Sequence, residues 1–109
     1  MPPVRISGAG LVIDRVVKVR GDRKEDVLWI AQDGGGPWRI TFDKISSTPS
    51  TYPVEPGSPF TKPEYIVAKG GSGGSTGGPV KGIALRTYRY TVRDHNTGEV
   101  KDDPDVDVE

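Results

Sequence analysis

The sequence predicts an all-β fold, an antiparallel two-sheet sandwich of seven or eight short strands, on three observations. Glycine and proline are abundant, 15 and 10 in 109 residues, and both interrupt helices and collect in turns. No segment sustains the 3.6-residue apolar spacing of an amphipathic helix. Short runs alternate polar and apolar residues instead, which is how a strand keeps one face on a core and the other in water.

The elements follow in chain order. Val4–Ile6 is a weak strand candidate. Leu11, Ile13 and Val17 could open a helical stripe, but Gly8, Gly10 and Gly21 bracket too short a segment. Arg15–Arg20 partly alternates, Asp26–Ala31 is a short apolar run centred on Trp29, and Arg39–Phe42 alternates polar and apolar. The segment Ser46–Pro63 holds Pro49, Pro53, Pro56, Pro59 and Pro63, so a long, stiff loop is expected there. Tyr65–Ala68 is a weak strand candidate, and Gly70–Gly78 reads by composition as a flexible connector. Ile83–Leu85 is again weak, Thr87–Val92 alternates clearly, and Asp105–Val108 alternates at the end.

A chain of this length makes one domain, residues 1–109, with one modest core. It has no cysteine, hence no disulfide or thiolate site. Its 15 basic and 15 acidic residues cancel, and no basic face suited to a phosphate backbone emerges, so nucleic acid is not expected as a partner. No apolar run approaches the roughly 18 residues of a membrane span. The opening Met1-Pro2-Pro3-Val4-Arg5 lacks a basic-then-apolar signal region. The expectation is a soluble cytoplasmic domain, with a mature exported fragment as the alternative.

Two blocks carry a family resemblance. In the first, Val16-Val-Lys-Val-Arg-Gly21 is followed by Val27-Leu-Trp-Ile30 and then by Pro37-Trp-Arg-Ile-Thr-Phe-Asp43. In the second, Thr87-Tyr-Arg-Tyr-Thr-Val92 leads to His95, Val100 and the closing Asp103-Pro-Asp-Val-Asp-Val108. These resemble the two halves of a cupredoxin, the plastocyanin–azurin family. An immunoglobulin-like sandwich would share the alternation, but its Cys–Trp–Cys pattern is missing. The resemblance places Trp38, Val92, His95 and Val100 where the family holds its His, Cys, His and Met copper ligands.

Blue-copper chemistry needs two imidazoles and a thiolate with a weak axial ligand. One histidine, no cysteine and a lone Met1 cannot supply that set, so no metal and no cofactor are expected. Trp38 then has two readings. It fills the vacated space as extra core, or it stands exposed beside Gly34-Gly35-Gly36 as an aromatic binding anchor. Trp29, Tyr88 and Tyr90 read as core, and Arg20, Arg23 and Lys24 as a solvated loop. His95 reads as a turn histidine in Asp94-His-Asn-Thr-Gly98. A hydrolytic set of Asp94, His95 and Ser72 would need Ser72 within reach of His95. Gly70-Gly-Ser-Gly-Gly74 fits Gly-x-Ser-x-Gly only formally, since that motif acts on a strand-to-helix turn. Asp102, Asp103, Asp105, Asp107 and Glu109 read as a charged edge strand that discourages sheet pairing.

The function expected is therefore non-enzymatic: a binding module, its partner another protein, with no catalytic residues. Its candidate surface is Gly34, Gly35, Gly36, Trp38, His95 and Asn96. The Ser46–Pro63 loop is a second candidate surface. The alternative function is a structural or accessory subunit that pairs through Asp105–Val108 as an edge strand.

Overall fold

The computed structural model describes residues 2–42, 55 and 57–109. Among these, ten strands appear and no helix: β1 (Pro3–Ile6), β2 (Val16–Val19), β3 (Leu28–Ala31), β4 (Trp38–Thr41), β5 (Glu64–Val67), β6 (Ser72–Gly74), β7 (Thr87–Arg89), β8 (Thr91–Asp94), β9 (Val100–Asp102) and β10 (Asp105–Val108). They form three sheets, ordered β1-β3-β6, β2-β10-β7 and β5-β4-β8-β9. The last two run into one another. Thr87–Asp94 is one path bent at Tyr90, Val100–Val108 is another bent at Pro104, and the Tyr90 amide donates to the Pro104 carbonyl across the bend.

Alternation sets the core. Val17 and Val19 of β2, Trp29 of β3, Ile40 of β4, Val67 of β5 and Val106 and Val108 of β10 are buried, while their neighbours, Asp105 apart, are less so. Trp29 joins the layers: its ring lies 5.6 Å from Tyr65, 5.6 Å from Tyr90 and 6.4 Å from Phe42. Such aromatic pairs add roughly 0.5–1.5 kcal/mol each beyond area burial. Burial also pushes the Tyr90 phenol far above its ordinary range.

Several expectations need correction. Three sheets stand where two were expected, and the pairing is not wholly antiparallel, because β1 pairs with β3 and β10 with β2 in parallel. The strands number more than seven or eight, partly because the bends split two long runs. Ile83–Leu85 is not a strand. Of the proline-rich Ser46–Pro63 segment, only Glu55 and residues 57–63 lie among the described residues.

The glycine-rich run is packed rather than a free connector. It supplies β6, and Ser75 is fully buried, its hydroxyl accepting from the Val27 amide and donating to Asp26. A Cβ on Gly73 would sit 2.1 Å from the Ile66 carbonyl oxygen, and one on Gly74 would sit 2.5 Å from that of Val27. Glycine is there because another backbone passes too close for any side chain.

Asp105–Val108 is no edge strand. β10 lies between β2 and β7, with Asp105, Val106 and Val108 buried. Asp105 is held by Arg89 at 3.0 Å, and Asp107 accepts from the Thr87 hydroxyl. The expected edge-pairing assembly has no free edge in this strand.

Candidate binding surface

Strand direction gathers four connections at one end: residues 7–15 after β1, 32–37 after β3, 68–71 after β5 and 95–99 after β8. Backbone bonds tie them together. The His95 amide donates to Pro37 O at 3.1 Å, and the Gly70 amide to Gly35 O at 2.9 Å. A Cβ on Gly35 would lie 2.8 Å from Gly8 Cα, so these two loops touch backbone to backbone. Two backbone hydrogen bonds and one close approach thus join the other three loops to residues 32–37, which favours a firm surface.

The sequence-predicted residues divide within this end. Gly34, His95 and Asn96 are exposed, whereas Gly35 and Gly36 are half-buried and serve close packing. Trp38 is 4% exposed, which overturns the anchor reading and supports the core reading. Its indole lies between two glycines: Cβ atoms there would stand 3.2 Å from Trp38 Cη2 at Gly10 and 3.3 Å from Cδ1 at Gly36.

The four presumed ligand positions converge only in part. Trp38 pairs with Asp94 and Ile40 with Val92, so buried Trp38 and Val92 share the inner face one step apart. His95 adjoins them through its amide bond to Pro37. Val100 pairs with Arg93 on the outer face and is 48% exposed, so it does not join the group. An indole, an isopropyl group and one outlying imidazole do not fit copper.

Nor do the hydrolytic residues assemble. Asp94 Oδ1 accepts from the amides of Asn96 and Thr97, and these bonds hold its carboxyl below the ordinary range. The carboxylate caps its own turn. Among the described residues no hydrogen bond joins Ser72 to His95.

A feature the sequence reading missed lies on the outer face beside this end. Register places Ile66 of β5, Arg39 of β4, Arg93 of β8 and Val100 of β9 in one row across four strands. Ile66 and Val100 are 45% and 48% exposed. Between them Arg39 and Arg93 are direct cross-strand partners, a like-charge pairing of the kind that disfavours a sheet. Both reach the His95–Gly98 turn. Arg93 Nη1 donates to Gly98 O at 3.4 Å, and Arg39 Nη2 is 3.5 Å from where a Gly98 Cβ would be. Among the described residues Arg39 enters no salt bridge, and its enclosed Nε has no hydrogen-bond partner.

No protein-family model, curated protein or solved structure matches this chain. The surface must be judged on its own chemistry. Each arginine, taken alone, is the polar half of an alternating strand; only the β4–β8 register makes them neighbours. The available sequence signal was the repeated basic residue on the polar face of two strands whose apolar faces both belong to the core.

Proposed function

We propose that this chain is a non-enzymatic protein-binding module on a copper-free cupredoxin-like sandwich, and that it takes an acidic partner across the Ile66–Arg39–Arg93–Val100 row and the adjoining His95–Gly98 turn. The observation that carries the reading is that row. Two exposed apolar side chains flank two cross-strand arginines, a combination that suits a partner bringing carboxylates and apolar contacts together. Arginine is favoured at such interfaces because its planar fork meets a carboxylate with two bonds.

The cupredoxin-like assignment is supported by Trp38, Val92 and His95 coming to one end, where the family resemblance puts them. The two parallel strand pairs depart from the all-antiparallel immunoglobulin arrangement. The test is capture of a partner from a lysate by the immobilised wild-type chain, by Arg39→Glu and by Lys18→Glu, an exposed basic residue elsewhere. The reading expects salt-sensitive capture that survives Lys18→Glu and fails with Arg39→Glu. Equal capture by all three would overturn it.

A further inference from the structure

At the opposite end, the turn after β2, the approach to β5 and the long β6–β7 connection line an open pocket of about 410 Å³. That volume is in the range of small-ligand sites, which combine a mostly apolar wall with a few placed polar groups. Pro79, Val80, Ile83 and Leu85 supply the apolar wall. Val80 and Leu85 are left 41% and 66% exposed, so apolar surface there has no cover among the described residues.

Among the described residues, the only charged groups lining the pocket are Lys24 and Lys81, and no carboxylate lines it. Neither lysine enters a salt bridge among the described residues. Carboxylates near Lys24 in sequence are engaged elsewhere: Asp22 with Arg20, Glu25 with the Arg20 amide, Asp26 with Ser75 and the Gly78 amide. The wall is also firmly built. A Cβ on Gly78 would meet Lys24 Cα at 2.4 Å, so the two backbones lie against each other. The Val80 amide donates to Pro59 O and the Ile83 amide to Val80 O.

We propose that this pocket binds a small amphiphilic carboxylate. Its apolar body lies against Val80, Ile83 and Leu85, and its head is taken by the ammonium groups of Lys24 and Lys81. The site is independent of the arginine row.

The test is a titration of the ¹⁵N-labelled chain with decanoate, with decan-1-ol as the uncharged control. The proposal expects saturable shifts centred on the amides of Gly78, Gly82 and Ile83, and binding of decanol weaker by about tenfold, the scale of one charge-assisted hydrogen bond. The double variant Lys24→Gln/Lys81→Gln should bring decanoate down to the decanol level. Leu85→Glu, at an exposed position, should abolish binding while the spectrum stays folded, and Arg39→Glu should leave decanoate affinity unchanged. No saturable binding, equal affinity for decanol and decanoate, an unaffected double variant, or shifts centred on another surface would each overturn the proposal.

Discussion

Replacing Trp38 by alanine separates a core plug from a surface anchor. An enclosed indole removes about 200 Å² from water, which at about 25 cal/mol per Å² is worth ~5 kcal/mol. A compact unfolded chain lowers that by roughly 10–40%. Trp38 Nε1 has no hydrogen-bond partner among the described residues, so its removal also relieves a desolvated donor worth about 1 kcal/mol. The expected loss for Trp38→Ala is then about 3 kcal/mol, near the low end for large-to-small core changes. Trp29→Ala should cost more, because Trp29 also gives up its ring contacts with Phe42, Tyr65 and Tyr90. Urea unfolding followed by circular dichroism at constant m-value measures both. A loss below about 1 kcal/mol for Trp38→Ala would place the indole at the surface and rule out a core plug.

Two further outcomes follow from packing and charge. Gly73→Ala should destabilise by about 1–3 kcal/mol, since the new methyl meets a carbonyl and not a flexible side chain; Ser72→Ala beside it should stay within about 0.5 kcal/mol. Equal stability of the two variants in thermal unfolding would return the glycine run to a spacer. Burial tends to raise the Asp102 carboxyl, but bonds from Arg15 and from the amides of Val12 and Asp103 outweigh it and hold the group below its ordinary range. Folding therefore favours its charged form, so this stabilisation is complete above about pH 4 and is lost as pH falls through the lowered value. Asp102→Ala should cost about 1–3 kcal/mol at pH 7, a deficit that shrinks in unfolding curves below pH 4; a deficit that grows there would contradict the assignment.

Alternation made much of the fold legible. Val17, Val19, Trp29, Ile40, Val106 and Val108 face inward as their spacing predicts, because period two leaves a half-buried strand little choice of face. What stayed hidden depends on neighbours distant in sequence. Glycine reads the same whether it loosens a chain or lets two backbones meet, so the strand Ser72–Gly74 passed for a connector. Aspartates read as solvent-facing, yet Asp105 is buried against Arg89, and only the register with β2 and β7 makes β10 central. The bend at Tyr90 divides one alternating run between two sheets, and there Tyr90, Thr91 and Val92 are all buried although the residue types still alternate. Of the candidate surface, the exposed Gly34, His95 and Asn96 were readable from turn composition. Arg39 and Arg93 were not, since their opposition exists only once β4 and β8 are paired.

If Arg39 serves a partner at some cost to the fold, the stability of Arg39→Glu shows it without knowledge of that partner. Replacing one of two opposed guanidinium groups by a carboxylate turns a repulsive cross-strand pair into an attractive one, a gain of about 0.5–1 kcal/mol. Urea unfolding of wild type and Arg39→Glu at neutral pH and low salt gives the number directly. The expected result is a variant more stable than wild type by that amount, with the difference fading as salt screens the pair. A variant less stable than wild type by 1 kcal/mol or more would show that Arg39 holds the sheet together, and would contradict the claim that it is kept for binding.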